Sequence, residues 1–281
     1  MNKILHVIMP MAGEGSRFKE KGYSTPKPLL KVKDREIFLR AVDSIFDFDG
    51  MPWTDMSVYD TKIKLTFIVR SEFVTDYHID EVIHKEYDNN SNVIATNIIK
   101  IDKTTRGALE TVSLAEKFID KENDAICVMD CDFEFYCPEY LMNIKCKLFS
   151  NECYPLLISF YSKKPSYSYV DVGYTEADSY YAKNVVEKKQ ISTHALTGCY
   201  FLGRADRVIK CMHKVIKDFE NGKIESKEIY LSLIYNYLIK EIGVFDAVKV
   251  IDMNLHEDHI WSYNTPDDYE KFDGKTCIWD K

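Results

Sequence analysis

The sequence has no apolar run near the roughly 20 residues that a membrane-spanning helix requires. It also lacks an excess of basic residues, since 37 Lys and Arg stand against 45 Asp and Glu, for a formal net charge of -8. A general nucleic-acid binder needs Lys and Arg in excess for its phosphate contacts. We therefore expect neither membrane insertion nor a nucleic-acid partner, and an anionic ligand would have to be held by a local cluster of cations.

Paired cysteine motifs are also missing. The eight cysteines, at positions 127, 131, 137, 146, 153, 199, 211 and 277, include no Cys-x-x-Cys. That spacing is typical of zinc and redox sites, so neither is expected. The chain opens without a secretion signal, which favours reduced thiols in a cytoplasm over a disulfide framework.

What the sequence does have is an alternating pattern over its first half, with 46% hydrophobic residues to fill a core. The predicted strands are 4–9, 65–69, 93–101 and 125–129, and the predicted helices are 37–46, 78–87 and 108–119. Such alternation predicts an α/β fold, a Rossmann-like and mostly parallel sheet covered on both faces. Ligands of such sheets gather beyond the carboxyl ends of the strands.

The second half of the chain is richer in predicted strands. Strand-like segments at 154–161, 167–174, 182–186 and 195–202 are followed by predicted helices at about 204–220 and 226–242. No repeat or linker separates the halves. We therefore predict one compact domain over residues 1–281, in which β-rich additions extend the same sheet.

A glycine turn follows the first strand. Gly13 and Gly15 permit a sharp turn and leave backbone N–H groups open to a phosphate. A dinucleotide fingerprint would need glycine where Phe18 stands, and the Gly-Lys-Ser/Thr of a P-loop is absent. What remains is Gly-x-Gly-x-Arg with Arg17, followed by Lys27 in Pro-Lys-Pro. The turn could place two cations against one polyanion, unless both are simply solvated surface residues.

A second polar motif ends the predicted strand 125–129. Asp130 and Asp132 follow it directly, at the edge where a parallel sheet presents its ligands. Magnesium takes carboxylate oxygens while bridging substrate phosphates. The two aspartates are therefore candidate metal ligands, although an Asp-x-Asp pattern also arises by chance or in capping.

The string from the first strand through Lys27 resembles the opening of the sugar-phosphate nucleotidyltransferases, the nucleoside-diphosphate-sugar pyrophosphorylase family. That opening is an apolar strand, Gly-x-Gly-Ser/Thr-Arg, and a Pro-Lys-Pro or similar segment. The resemblance implies a GT-A-like fold in which the glycine loop wraps a nucleoside triphosphate while Arg17 and Lys27 neutralise its phosphates. The nucleotide-binding residues implied in this loop are Met11, Ala12, Gly13, Gly15 and Ser16.

Weaker resemblances cover much of the remaining chain. Gly107 and Ala108 match a segment that contacts the nucleotide base or ribose, although Gly107 also reads as a helix-capping glycine. Val-Val-Glu-Lys and the later Ala-Leu-Thr-Gly-Cys-Tyr-Phe segment, residues 195–201, match the acceptor side of the family. There Glu187 would bind sugar hydroxyls, Lys188 the sugar phosphate, and the backbone of Gly198 would line the site. Without the resemblance, Glu187 and Lys188 are also typical of a solvated strand end.

The segment Asn-Thr-Pro-Asp-Asp near the end of the chain resembles a turn that completes the family's metal site with an acidic or amide residue. Asn264 stands at that position. An amide is a weaker magnesium ligand than a carboxylate. The same residues also read as a turn that caps the last helix.

The resemblance implies a nucleotidyltransferase that uses Mg²⁺, or Mn²⁺ in its place, to join CTP or UTP to a sugar phosphate with release of pyrophosphate. Its catalytic residues would be Arg17, Lys27 and Asp132, with Asp132, Asp130 and Asn264 on the metal. Residues 1–136 would bind the nucleotide, and residues 137–281 would form the acceptor half with the C-terminal helices. The product would be an activated sugar for surface polysaccharide synthesis, made in the cytoplasm. The sequence leaves the oligomeric state open, including a homo-oligomer.

Three alternatives remain at the level of sequence. A cytidylyltransferase acting on a non-sugar phosphate such as phosphocholine would share most of these motifs. A GT-A glycosyltransferase would share Asp-x-Asp and its metal, but has no use for the glycine turn with Pro-Lys-Pro. A non-catalytic regulator would bind the triphosphate without turnover.

Overall fold

The computed structural model describes residues 3–46, 61–175, 179–253 and 260–272. Its strands are β1 Ile4–Met11, β2 Lys31–Val32, β3 Arg35–Glu36, β4 Ile63–Arg70, β5 Val93–Ile101, β6 Asp124–Met129, β7 Phe133–Phe135, β8 Leu156–Tyr161, β9 Tyr169–Tyr174, β10 Tyr180–Val186, β11 His194–Arg204, β12 Lys249–Asp252 and β13 Ile260–Ser262. Its α-helices are α1 Ser16–Glu20, α2 Ile37–Phe46, α3 Ser71–Thr75, α4 Ile79–Tyr87, α5 Ala108–Ser113, α6 Pro138–Leu148, α7 Ala205–Glu220, α8 Ile234–Ile242 and α9 Pro266–Phe272. Short 3₁₀ turns occupy Lys27–Leu29, Leu114–Phe118 and Leu231–Leu233.

Nine strands form one sheet in the order β5-β4-β1-β6-β11-β8-β12-β10-β9. The first four are parallel to one another, as the alternating first half predicts. The second half enters through β11, which is antiparallel to both β6 and β8. Strand β12 then runs parallel to β8, and β10 and β9 are antiparallel additions. The predicted α/β fold with β-rich additions to one mixed sheet is confirmed.

Strand β1 shows why the sheet is covered on both faces. Leu5, Val7 and Met9 pack in one buried cluster with residues of α2, α4 and α6. Ile8 points to the opposite cluster, which contains residues of α5, α7 and α8. Because side chains alternate along a strand, an almost continuous apolar run buries both of its faces.

Several predicted bounds differ from the observed ones. The helix predicted at 108–119 is α-helical only to Ser113, whose Oγ donates to the Glu110 carbonyl at 2.7 Å and competes for it with the next turn. The helix predicted from 226 starts only with the 3₁₀ turn at Leu231 and is α-helical from Ile234, because the Ile229 N–H and carbonyl bond to Arg106 O and Leu109 N. Helix α6 is absent from the predicted elements, since Pro138 reads as a breaker but occupies the tolerated first turn.

Two further findings concern the cysteines and the helices. The seven cysteines of the described residues are free thiols, including Cys127 and Cys199, whose Sγ atoms lie 3.8 Å apart on neighbouring strands. Cys277 lies outside the described residues. Within the described ranges, no helix combines the length and apolar character needed to cross a bilayer.

A small antiparallel pair, β7 with β13, brings the end of the chain beside the Asp130–Asp132 segment. Behind it lies a buried ion pair in which Arg40 of α2 donates to both carboxylate oxygens of Glu134, at 2.8 and 3.1 Å. The Tyr263 hydroxyl donates to the same carboxylate at 2.7 Å. This network joins α2 to the two short segments that flank the candidate site.

Candidate functional site

A cleft of about 370 Å³ opens beyond the carboxyl ends of β1 and β6, where the parallel half of the sheet was predicted to bind its ligands. Ten of the predicted site residues line it: Met11, Gly13, Gly15, Lys27, Asp130, Asp132, Glu187, Lys188, Gly198 and Asn264. They come from both halves of the chain. The fold therefore brings the separate motifs into one cavity.

The glycine turn forms the first wall of the cleft. Gly15 has φ 62, in the left-handed region, and its carbonyl accepts the Phe18 and Lys19 N–H groups at 2.9 and 3.1 Å. At Gly13, by contrast, a Cβ would meet no atom within 4 Å. The turn itself therefore requires glycine at position 15, whereas position 13 leaves open space at the cleft for a closely approaching ligand.

Lys27 enters the cleft from the 3₁₀ turn between Pro26 and Pro28. Its Nζ pairs with the Asp132 carboxylate and lies 3.4 Å from the Asn264 carbonyl oxygen. The side chains of Lys27 and Asp132 are only 15% and 20% exposed. Two of the three predicted catalytic charges thus pair with each other in the cleft.

Backbone bonds hold the two aspartates in place. The Asp130 N–H donates to Gly198 O, and the Tyr263 N–H donates to Asp132 O, each at 2.8 Å. Gly198 has φ 71, and a Cβ there would lie 2.8 Å from Asp130 Oδ2, so only glycine allows this approach. Burial raises the pKa of the Asp130 carboxyl well above its usual range, and the nearby charges of Asp132 and Glu187 add to that shift.

Among the residues that the structure describes, no three or more His, Cys, Asp or Glu side chains converge as a metal-binding group. The predicted metal ligands Asp130 and Asp132 place two carboxylates in the same cleft. Hard oxygen donors suit Mg²⁺, which commonly takes one or two carboxylates and completes its shell with water and substrate phosphate. A cation here would also offset the repulsion that raises the Asp130 pKa, so the residues fit such an ion.

Arg17 and Asn264 meet at the rim. Arg17 is exposed and does not line the cleft, but its Nη1 donates to Asn264 Oδ1 at 3.3 Å. The predicted cap of the last helix is confirmed in this segment, where the Thr265 hydroxyl accepts the Asp268 N–H at 3.1 Å. Asn264 is thereby left to contact the arginine, and its role as a metal ligand stays a prediction.

The acceptor-side pair lies across the cleft from the glycine turn. Glu187 Oε2 accepts hydrogen bonds from the Ser168 hydroxyl and, at 2.7 Å, from the Ser232 hydroxyl. Lys188 has φ 51, which is rare for a residue other than glycine, and its Nζ donates to the Tyr230 hydroxyl at 3.0 Å. Each side chain therefore has a protein partner, Glu187 half-buried and Lys188 exposed.

Four predicted nucleotide contacts do not line the cleft: Ala12, Ser16, Gly107 and Ala108. A Cβ on Gly107 would lie 2.5 Å from the backbone nitrogen of Ile229, so packing between these segments already requires glycine. The sequence left a helix-capping role and a ligand role open. The structure supplies a packing reason, and the nucleotide contact stays a prediction.

Sequence reasoning missed several residues of the cleft, among them Tyr167, Ser168 and Tyr230. Tyr167 and Ser168 precede β9 directly, a position at a strand end that could have drawn attention to them. Tyr230 lies in an irregular segment with no motif. Tyr200 belongs to the matched Gly-x-Tyr segment, and burial together with the Asp130 and Glu187 charges raises its pKa well above the usual range.

Comparison with known proteins gives a match at the level of structure. No protein-family model and no curated protein sequence matches the chain. Similar solved structures include a nucleoside-diphosphate-sugar pyrophosphorylase from Vibrio cholerae, 22% identical over 96% of this chain and 100% of that one, with a TM-score of 0.71. A UDP-glucose pyrophosphorylase complexed with UDP-glucose is 16% identical over 96% and 97% of the two chains, at a TM-score of 0.67.

A third similar structure is the inositol-1-phosphate CTP transferase from T. maritima, 15% identical over 99% of this chain and 100% of that one, with a TM-score of 0.62. The match extends over nearly the whole length in each case. At such low identity, these similarities establish the fold: the chain folds as these nucleotide-transferring enzymes do.

The two loop glycines predict a contrast in stability. Gly15→Ala should lower the free energy of unfolding by about 1 kcal/mol, because a Cβ is strained in the left-handed region. Gly13→Ala should change it by less than about 0.5 kcal/mol, since the position is open, and should instead weaken the binding of CTP or UTP. Urea denaturation and equilibrium titration measure the two effects. Equal loss of stability in both variants would contradict the assignment of Gly13 to a ligand.

Proposed function

We propose that this chain is a metal-dependent nucleotidyltransferase that joins a nucleoside triphosphate to a sugar phosphate and releases pyrophosphate. The observation that carries the proposal is the single cleft shared by the glycine turn with Lys27, the pair Asp130 and Asp132, and the acceptor-side Glu187 and Lys188. The fold shared with pyrophosphorylases and a CTP transferase supports the same reading.

The residues that line the cleft indicate where each of the two substrates binds. The triphosphate lies along the turn at Gly13 and Gly15, where backbone N–H groups and Lys27 can face its oxygens. The acceptor lies beside Glu187, which can accept from a sugar hydroxyl, and Lys188, which can pair with a phosphate. Residues up to about 136 thus bind the nucleotide, with CTP or UTP as the expected substrate, and the later residues bind the acceptor.

In the proposed reaction an oxygen of the acceptor phosphate attacks the α-phosphorus of the triphosphate. A new P–O bond forms, the bond from the α-phosphorus to the bridging oxygen breaks, and pyrophosphate leaves with that electron pair. The attacking phosphate is already ionised near neutral pH, so no general base is needed. The chain's task is to align the two substrates and to offset their charge.

Lys27 has to change partners for this task. In the free protein its ammonium contacts Asp132, and a triphosphate along the glycine turn offers it a more highly charged partner. Arg17 at the rim adds a second cation near the same turn. When bound, magnesium would add charge neutralisation on the phosphates, with Asp130 and Asp132 as the residues that hold it. The cellular setting proposed is cytoplasmic synthesis of activated sugars for surface polysaccharides.

The test is pyrophosphate release from ATP, CTP, GTP, UTP and dTTP, each against a panel of sugar 1-phosphates and phosphocholine. We expect release with a pyrimidine nucleotide and a sugar phosphate, and loss of release in excess chelator with recovery on adding Mg²⁺ or Mn²⁺. Activity with phosphocholine alone would assign a non-sugar acceptor. Release of nucleoside diphosphate would indicate a glycosyltransferase, and binding without turnover would indicate a regulator. Full activity in chelator would contradict the metal.

Two substitutions separate the roles of the paired charges. Lys27→Met keeps the apolar stem but removes the ammonium, which should cost about 3 kcal/mol of barrier, roughly a hundredfold in kcat. Asp132→Asn should weaken metal binding, so that its rate partly recovers at high magnesium concentration. Steady-state rates over a magnesium titration measure both effects.

Magnesium should not restore Lys27→Met, because its missing charge belongs to the protein. Lys121→Met, at an exposed lysine outside the cleft, is the matched control and should keep the wild-type rate. If folded Lys27→Met and Asp132→Asn both retain near wild-type turnover, the site does not lie in this cleft.

A further inference from the structure

The segment before α8 is hydrogen-bonded to other parts of the fold at both of its ends, although no motif points to it. The backbone of Ile229 is hydrogen-bonded to Arg106 and Leu109, on either side of Gly107. Three residues further on, the Ser232 hydroxyl donates to Glu187. Tyr230 lies between these contacts and lines the cleft. The segment is thereby anchored at both ends, which holds the backbone of Tyr230 beside the cleft.

Tyr230 makes two contacts with the same lysine. The Lys188 ammonium donates to the Tyr230 hydroxyl at 3.0 Å and lies 4.4 Å from the centroid of its ring. A cation over an aromatic face is attracted by the ring quadrupole. The lysine backbone is held in the left-handed region, with φ 51, while its N–H donates to Tyr167 O at 3.2 Å. Backbone strain of this kind persists where the surroundings impose it, and it concentrates at ligand sites.

The chemistry of the pair is that of a donor site. Because the phenol oxygen accepts from Lys188, its own O–H remains to donate, and among the described residues it has no protein acceptor. The ammonium keeps two further N–H donors. The pair therefore offers several donors and a positive charge on one side of the cleft, which matches a phosphate monoester.

We propose that Tyr230 is a specificity-determining residue that binds the acceptor phosphate together with Lys188. Its ring and phenol oxygen hold the ammonium in place, and its O–H donates to a phosphate oxygen. This inference rests on the proposed function, since it identifies the group of the acceptor that the far end of the cleft selects. That group is a phosphate monoester with two negative charges, which uses more of these donors than a carboxylate or a diester does.

The kinetic test uses Tyr230→Phe, which keeps the ring and removes only the hydroxyl. Loss of one hydrogen bond to a charged group should raise the acceptor KM roughly tenfold. The nucleotide KM and kcat should change less than about twofold. A purely structural role would instead lower kcat or affect both substrates alike, and either result would overturn the proposal.

Tyr237→Phe is the matched control. It also deletes one tyrosine hydroxyl whose partner is charged, since Tyr237 donates to Asp218 at 3.0 Å, but Tyr237 lies on α8 outside the lining of the cleft. It should leave both KM values unchanged. A similar rise in acceptor KM for Tyr237→Phe would show that the effect of Tyr230→Phe is not local to the phosphate.

A double-mutant cycle tests whether Tyr230 and Lys188 act on one group. Lys188→Met alone should raise the acceptor KM more than Tyr230→Phe, because it removes the charge. Adding Tyr230→Phe to Lys188→Met should raise the acceptor KM by a smaller factor than Tyr230→Phe does in the wild-type chain, as residues that share a partner are not additive. Independent, multiplicative effects on the acceptor KM would contradict a shared phosphate.

Binding of inorganic phosphate, followed by calorimetry, separates this inference from the proposed reaction. The wild-type chain should bind phosphate more tightly than Tyr230→Phe, and Tyr230→Phe more tightly than Lys188→Met. The binding that Lys188→Met retains also measures any phosphate bound at the glycine turn. If pyrophosphate is never released but this order holds, the proposed function fails and the phosphate site stands. If the three proteins bind phosphate equally, Tyr230 has no such role, whatever the activity.

Discussion

The contact between Lys27 and Asp132 is the interaction on which the rest of the site depends. It joins a residue of the first motif to one 105 positions later, with little water around either side chain. The pair sets the glycine turn beside the strand end that carries both aspartates. Under the proposed function, this pair would let an acidic chain hold a polyanion, because a phosphate would take the place of Asp132 beside the lysine and a cation the place of Lys27 beside the aspartate.

The support behind this pair is rigid and largely buried. Asp132 is held through its carbonyl by the Tyr263 N–H, and the Tyr263 hydroxyl donates to the Glu134 carboxylate that Arg40 binds from α2. A functional pair held by a second layer of satisfied polar groups keeps its geometry when its partners change. The acceptor side has a similar arrangement, in which serine hydroxyls hold Glu187 and Tyr230 holds Lys188.

Local patterns in the sequence predict much of this architecture. The apolar run of β1, the amphipathic α2 and the strand at 93–101 follow from periodicity alone. The glycine turn, Lys27 and the two aspartates are recognisable because each motif is short and contiguous. Three other features cannot be recognised in the sequence, since each depends on segments that meet only in the folded sheet. They are Tyr230, the bond from Arg40 to Glu134 and the packing of Gly107 on Ile229. The late start of the last predicted helix has the same cause.

The most direct measurement is a crystal structure of the chain with Mg²⁺ and the nucleoside triphosphate it binds, in which the distances from Lys27 Nζ are compared with those in the free protein. The account predicts that Lys27 leaves Asp132 for a phosphate oxygen, with the triphosphate along Gly13 and Gly15 and the metal against Asp130 and Asp132. A triphosphate bound outside the cleft would contradict the account, as would a bound triphosphate with Lys27 still paired to Asp132.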